Sequence, residues 1–143
     1  MYKFEKSILI NRPLQDIFDF TSNPANNAQW QSVVSAEWTS DGPPGVGSTA
    51  KSQVRFMGLK MEEKNKITHW DPPNQYSFKL MLKIGTNEIT NKFESRGDGT
   101  QLTTVVQMEL TGFYKLIEGL LGKLSEKTII SSRGTLKQIL ESS

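Results

Sequence analysis

Few residues in this chain could move a proton or hold a ligand, and one short stretch collects several of them. "HWDPPNQYSF", residues 69–78, contains the single histidine with a tryptophan and an aspartate beside it. His69 and Asp71 would make an acid/base pair, with Trp70 as a stacking wall. The same letters also spell a turn: Pro72 and Pro73 fix φ and withhold donors that a turn does not need, and Asn74 suits the bend. Both flanks alternate polar and apolar residues, so the stretch is expected to close a hairpin, with His69 ending its strand at the rim.

Polar residues at the inward parity of a strand are more informative, because burying them unpaired costs about 1–3 kcal/mol. Glu63, Asn65, Asn91 and Thr104 meet that criterion. Glu63 is the sharpest, since a carboxylate in an apolar pocket has its pKa raised and can serve as general acid or base. The competing reading is a bulge in "KMEEKNK" that turns Glu63 to solvent on a charged outer face. Asn91, between Ile89 and Phe93, would orient a ligand carbonyl or hydroxyl, or else satisfy a nearby backbone group. Tyr114 is a second candidate proton donor, with surface exposure as the plainer alternative.

Composition narrows the chemistry further. The chain has no cysteine and one histidine, which excludes disulfides, thiolate nucleophiles, Cys-ligated zinc and multi-histidine metal sites, and no cofactor is expected. Lys and Arg exceed Asp and Glu by only two and are spread along the chain, so no nucleic-acid partner is expected. "GPPGVGS" lacks the lysine and following helix of a phosphate loop. "MYKFEKSILINRP" alternates polar and apolar residues and lacks the apolar run and small-residue cleavage site expected of a signal peptide, and no run approaches the roughly 18 apolar residues of a membrane span. A cytoplasmic protein without membrane insertion is the expectation, and a length of 143 residues suits one domain spanning 1–143.

The elements that would position these residues follow from periodicity. Residues 2–10 alternate with Tyr2, Phe4, Ile8 and Ile10 on one face. Pro13, with Asn11 as a possible cap, opens a short helix carrying Leu14, Ile17, Phe18 and Phe20, and Asn23 with Pro24 opens a second that ends near Trp30. Six strands follow: "VVSAEW", "TAKSQVRFM", "KMEEKNKITHW", "YSFKLMLKI", "NEITNKFES" and "QLTTVVQMEL", joined by turn-forming stretches. From Phe113 to about Glu141 there is no proline, so one helix of roughly 40 Å is expected. Phe113, Leu116, Ile117, Leu120, Leu121 and Leu124 share a face, which continues as Thr128, Ser131 and Thr135. That face is expected to cover the sheet, tight where the residues are small and standing off where they are large. The plan is α+β: about seven twisted antiparallel strands curled around a long carboxy-terminal helix, with two short helices between the first and second strands.

In this order, "RPLQDIFDFTSNPANNAQW", "PGVGS", "ITHWDPPNQYSF", "GDGTQLT" and "LKQIL" resemble the START-like (SRPBCC) superfamily with the helix-grip fold, in its polyketide cyclase/dehydrase and lipid-transport branch. The resemblance spans nearly the whole chain. It implies a sheet gripping the helix around a cavity for an apolar or amphipathic small molecule. It implies no single reaction, because the superfamily contains cyclases, hydrolases, carriers and receptors.

Parity then names the cavity wall. Phe56, Phe78, Leu80, Ile89, Phe93, Val106 and Met108 from the sheet are expected to face Ile117, Leu120, Leu121 and Leu124 from the helix, with Trp30 as a lid or a core brace. The loop after Trp38 would gate entry. In the first functional reading the protein binds a lipid, polyketide or aromatic compound without doing chemistry. In the alternative it is a cyclase/dehydrase-type enzyme in which Glu63, with Asn91 or Tyr114, polarises a carbonyl and moves a proton. An interaction module ranks last, because no exposed apolar helix is expected. The lysines of "MYKFEKS" discourage edge pairing, so a monomer or weak homodimer is expected.

Overall fold

The computed structural model of the protein describes residues 1–31, 33–56 and 58–142; the side chain of Phe56 lies outside the described residues. Its elements run β1 (Tyr2–Ile10), α1 (Leu14–Thr21), a 3-10 turn (Pro24–Asn26) leading into α2 (Asn27–Trp30), and β2 (Val33–Trp38). There follow β3 (Thr49–Phe56), β4 (Leu59–Asp71), β5 (Gln75–Leu82), β6 (Gly85–Arg96) and β7 (Gly99–Leu110). A 3-10 turn (Gly112–Ile117) and the long α3 (Glu118–Glu141) complete the chain.

All strand pairs are antiparallel, in the order β1-β7-β6-β5-β4-β3-β2. β7 is the clearest case of parity becoming burial: Leu102, Thr104, Val106, Met108 and Leu110 are buried while their neighbours are partly exposed. Asn23 caps the 3-10 turn as expected, its side chain accepting from the Ala25 N–H at 3.1 Å. Asn11 does not cap α1; Pro13 occupies that position without a side-chain cap, and Arg12 pairs with Asp16 at 3.0 Å.

The main core lies where α1, α2 and the end of α3 meet the sheet. Ile10, Ile17, Phe18, Trp30, Tyr76, Phe93, Leu102, Leu136 and Leu140 form one buried cluster. Phe18 sits at its centre, edge-on to Trp70, Tyr76 and Phe93 at centroid distances of 5.3–5.6 Å. Burying side chains of this size is worth about 1.5–3 kcal/mol each. A second cluster of Phe4, Ile89 and Val106 packs against Tyr2, Phe78, Leu80 and Ile129.

The face that α3 presents differs from the expectation. Gly122, Ser132, Arg133, Leu136 and Leu140 turn inward, while Leu120 and Leu124 are exposed, as are Phe113 and Leu116 in the preceding turn. Thr128 and Ser131 are exposed as well. The reason is phase: at 3.6 residues per turn, Leu120 and Leu124 lie roughly opposite Leu136 and Leu140 around the axis, and one helix cannot bury both sets. The later pair closes the main core, so the earlier leucines face out. Gly122 makes this arrangement close at the start of the helix, since a Cβ there would overlap the Tyr2 ring. The chain therefore does carry an exposed apolar helix face.

Candidate functional site

The register around Glu63 is unbroken. Ser52 pairs with Glu63 and Ala50 with Asn65, and no shift interrupts β3 against β4. The irregularity in β4 falls later, between Ile67 and His69. It rotates Trp70 inward against Phe18 and leaves His69 exposed, as is Asp71. The strand runs two residues beyond His69, to Asp71, and the Asn74 N–H closes the hairpin on the Asp71 carbonyl at 2.8 Å.

Glu63, Asn65 and Ile67 share their inner face with a cavity of about 80 Å³. Val33 and Trp38 of β2, Ala50 and Ser52 of β3, Tyr76, Phe78 and Leu80 of β5, and Ile89 of β6 complete its sheet wall. The opposite wall is the segment around α1 and α2, through Thr21, Ser22, Pro24, Asn27 and Gln31. No described residue of α3 lines it, so the cavity sits under the short helices rather than under the long one as expected. It is smaller than the roughly 300–1,000 Å³ usual for ligand sites. An outer cleft of about 410 Å³ lies next to it, formed by Phe18, Asp19, Asn23, Pro44, Trp70 and Pro72. Ser22 and Trp38 line both spaces and stand between them.

The polar atoms of the cavity fall into two groups. Thr21 Oγ1 and Asn27 Oδ1 are buried there with no hydrogen-bond partner among the described residues. Burial holds the Glu63 carboxyl above its ordinary pKa. Tyr76 belongs instead to a chain that runs from the cavity floor to α3. Its hydroxyl donates to the Thr21 carbonyl at 3.1 Å and accepts from Asn91 Nδ2 at 3.1 Å. Asn91 Oδ1 accepts from Thr104 Oγ1 at 2.8 Å and from Arg133 Nη2 at 3.1 Å. Arg133 also donates Nε to Thr104 Oγ1 and Nη1 to Ser132 Oγ, both at 3.0 Å, and its guanidinium lies 5.0 Å from the Trp30 ring centroid.

Arg133 is buried, yet among the described residues no carboxylate lies within 4 Å of it. Amide and hydroxyl dipoles and the face of Trp30 solvate the charge instead. Burial lowers its pKa to about 10 and raises that of Tyr76 to about 12, so near neutral pH Arg133 is charged and Tyr76 is neutral.

Of the three candidate acid/base residues, Glu63 alone reaches the cavity. Asn91 lies one hydrogen bond behind it, through Tyr76, and its amide is occupied by internal partners. Tyr114 is exposed in the 3-10 turn against Phe113. Phe78, Leu80 and Ile89 line the cavity; Trp30, Phe93, Val106 and Met108 are buried core, and Ile117 and Leu121 are partly buried outside it. Arg133 and the lining residues Thr21, Asn27 and Gln31 were missed by sequence reasoning. The available signals were an arginine in phase with Leu136 and Leu140, and the polar run "TSNPANN" inside an apolar helical pair. Among the described residues, no cluster of three His, Asp or Glu side chains is placed to hold a metal ion.

A family model described as polyketide cyclase/dehydrase and lipid transport matches residues 1–138. The chain belongs to this family. No curated protein matches it. Among solved structures, TTHA0849 from Thermus thermophilus aligns with TM-score 0.81 and 21% identity over 99% of both chains. Ara h 8.0201 aligns with TM-score 0.77 and 17% identity over 99% of both chains. The di-domain ARO/CYC protein BexL of the BE-7585A biosynthetic pathway aligns with TM-score 0.75 and 15% identity, over 96% of this chain and 49% of that one. At these identities the likeness shows a shared fold, the helix-grip architecture of the cyclase/dehydrase and lipid-transport family.

Proposed function

We propose that the protein binds an amphipathic small molecule, an apolar body with one hydroxyl or carbonyl group, in the cavity beneath α1 and α2. The observation that carries this reading is the pair of partnerless polar atoms, Thr21 Oγ1 and Asn27 Oδ1, on residues lining a cavity whose sheet wall combines Ile67, Phe78, Leu80 and Ile89 with Ser52, Glu63 and Asn65. Each costs about 1–3 kcal/mol while unpaired, and a ligand that brings a matching group recovers that cost. The outer cleft extends the space available, and a ligand longer than the inner cavity passes Trp38 and rests its tail against Trp70 and Pro72. The family's description, which includes lipid transport, agrees with an apolar cargo.

The test compares 1-naphthol with naphthalene by calorimetry and native mass spectrometry. The hydroxyl is expected to improve affinity about tenfold, the equivalent of roughly 1.4 kcal/mol, and the Thr21→Val, Asn27→Leu double variant is expected to erase the difference. Equal affinities for the two compounds in the native protein would overturn the reading. Trp38→Ala is expected to speed both association and release while changing affinity little.

A second reading has the position of Glu63 in its favour: a carboxyl whose pKa is held above its ordinary value by burial in the cavity wall is suited to pass a proton to or from a carbonyl compound. In a cyclase/dehydrase-type reaction Glu63 would be the acid/base, while Tyr76, whose one proton goes to the Thr21 carbonyl, would form part of the cavity floor. Glu63→Gln that keeps affinity but abolishes turnover of an added polyketide supports the enzyme; unchanged turnover removes Glu63 from it.

A further inference from the structure

The outward face at the start of α3 has a composition that the cavity does not explain. Phe113, Leu116, Leu120 and Leu124 are 69%, 82%, 61% and 49% exposed, and together they form one apolar ridge along the 3-10 turn and the first turns of the helix. Apart from Lys115, which pairs with the half-exposed Glu109 at 2.6 Å, the charges of the stretch are sorted by sign. Both carboxylates of the stretch turn inward: Glu118 accepts from the Leu110 N–H at 2.8 Å, and Glu126 accepts from the Tyr2 hydroxyl at 3.1 Å. Lys123 and Lys127 are exposed, and among the described residues no carboxylate lies within 4 Å of either. Tyr114, beside Phe113, adds a ring with a polar tip.

We propose that this ridge is a docking surface for the interface of an anionic lipid bilayer, on which the protein lies without spanning it. An apolar strip flanked by lysines, with an aromatic residue at one end, matches the layering of such an interface. Acyl chains accept the leucines, and anionic headgroups accept the ammonium groups. A second copy of the chain fits less well. A two-fold contact would set the lysines against one another, and four side chains fall short of the roughly 800 Å² per partner that a stable interface buries. No helix among the described residues is long and apolar enough to cross a membrane, so the contact is peripheral. The inference is independent of what the cavity holds.

Vesicle co-sedimentation tests it, with phosphatidylcholine vesicles compared with vesicles that also contain phosphatidylserine. The native protein is expected to partition onto the anionic vesicles, more weakly onto the neutral ones, and to be released as salt is raised. Losing two inserted leucines should weaken partitioning at least about tenfold in Leu116→Ser, Leu120→Ser. Both side chains are solvent-facing, so the double variant should keep the native melting temperature, which separates loss of docking from loss of fold. Lys123→Glu, Lys127→Glu should abolish the preference for anionic vesicles. No binding to phosphatidylserine vesicles overturns the proposal, as does binding that survives both double variants. Self-association in sedimentation velocity that Leu116→Ser, Leu120→Ser abolishes, without vesicle binding, assigns the ridge to a second copy instead.

Discussion

Asn91 uses three of its four hydrogen-bonding positions on neighbouring side chains. Its oxygen accepts from Thr104 and Arg133, and its nitrogen donates to Tyr76, so one amide joins the cavity floor to the charge on α3. Asn91→Leu preserves volume but leaves Arg133 short of an acceptor. A hydrogen bond to a charged group is worth about 1.5–3 kcal/mol, and a loss of at least that size is expected in urea unfolding. Asn91→Asp keeps both acceptors and adds a counter-charge, so it should lose less. Glu63 behaves oppositely, because burial disfavours its charged form. A carboxyl with a raised folded-state pKa opposes folding above that pKa and is neutral in its effect below its unfolded value. Glu63→Gln is therefore expected to raise Tm near neutral pH, with the gain vanishing in acid; an unchanged Tm at both pH values would mean that Glu63 is solvated.

Among the elements, α3 is where sequence and structure part, and glycine marks the reason. Strand parity was legible because each strand has one inner and one outer face, so Glu63, Phe78 and Val106 could be assigned from alternation alone. In α3 the apolar residues of its two halves lie on opposite sides of the axis, and periodicity within the first half selects the wrong side. Gly122 was the available clue, since a residue without a side chain marks a close approach, here to Tyr2 on β1. The cavity's helical wall was illegible for a different cause: Thr21 and Asn27 are polar residues that a short amphipathic helix ordinarily shows to water. Two substitutions separate the roles of the helix glycines. Gly122→Val must push α3 off β1 and is expected to cost about 1–3 kcal/mol, the usual range for overpacking. Gly134→Ala meets nothing within 4 Å, and it should stabilise by about 0.5–1 kcal/mol through the lower entropy cost of alanine in a helix. Chemical denaturation of the pair measures both.

At the scale of the whole molecule, α3 is fastened to the sheet at its first and last residues by carboxylates. Glu118 takes the Leu110 N–H at the end of β7 and pairs with the Met1 ammonium at 2.9 Å and with Lys115 at 3.3 Å. Glu141 takes the Asn11 N–H just beyond β1 at 2.8 Å and pairs with Lys137 at 2.8 Å. The Leu110 N–H and the neighbouring cations hold the Glu118 pKa down at about 2, from an ordinary 4.5. Lys137 and the Asn11 N–H lower that of Glu141. A carboxylate whose folded-state pKa is depressed contributes stability that is complete above its unfolded pKa and is lost as pH falls through the folded one. For Glu118 that window runs from 4.5 down to about 2. The native protein should therefore show a steep fall in Tm across this window. In Glu118→Gln, Glu141→Gln the amide oxygens still accept from Leu110 and Asn11 while the charges are gone. That variant is expected to melt lower near neutral pH, to lose little more on acidification, and to converge with the native protein at the acid end. Parallel curves for the two proteins would mean that α3 is held by the packing of Leu136 and Leu140 alone. Because Glu63 bends the pH profile in the opposite sense, the triple variant with Glu63→Gln should have the flattest acid limb of the series.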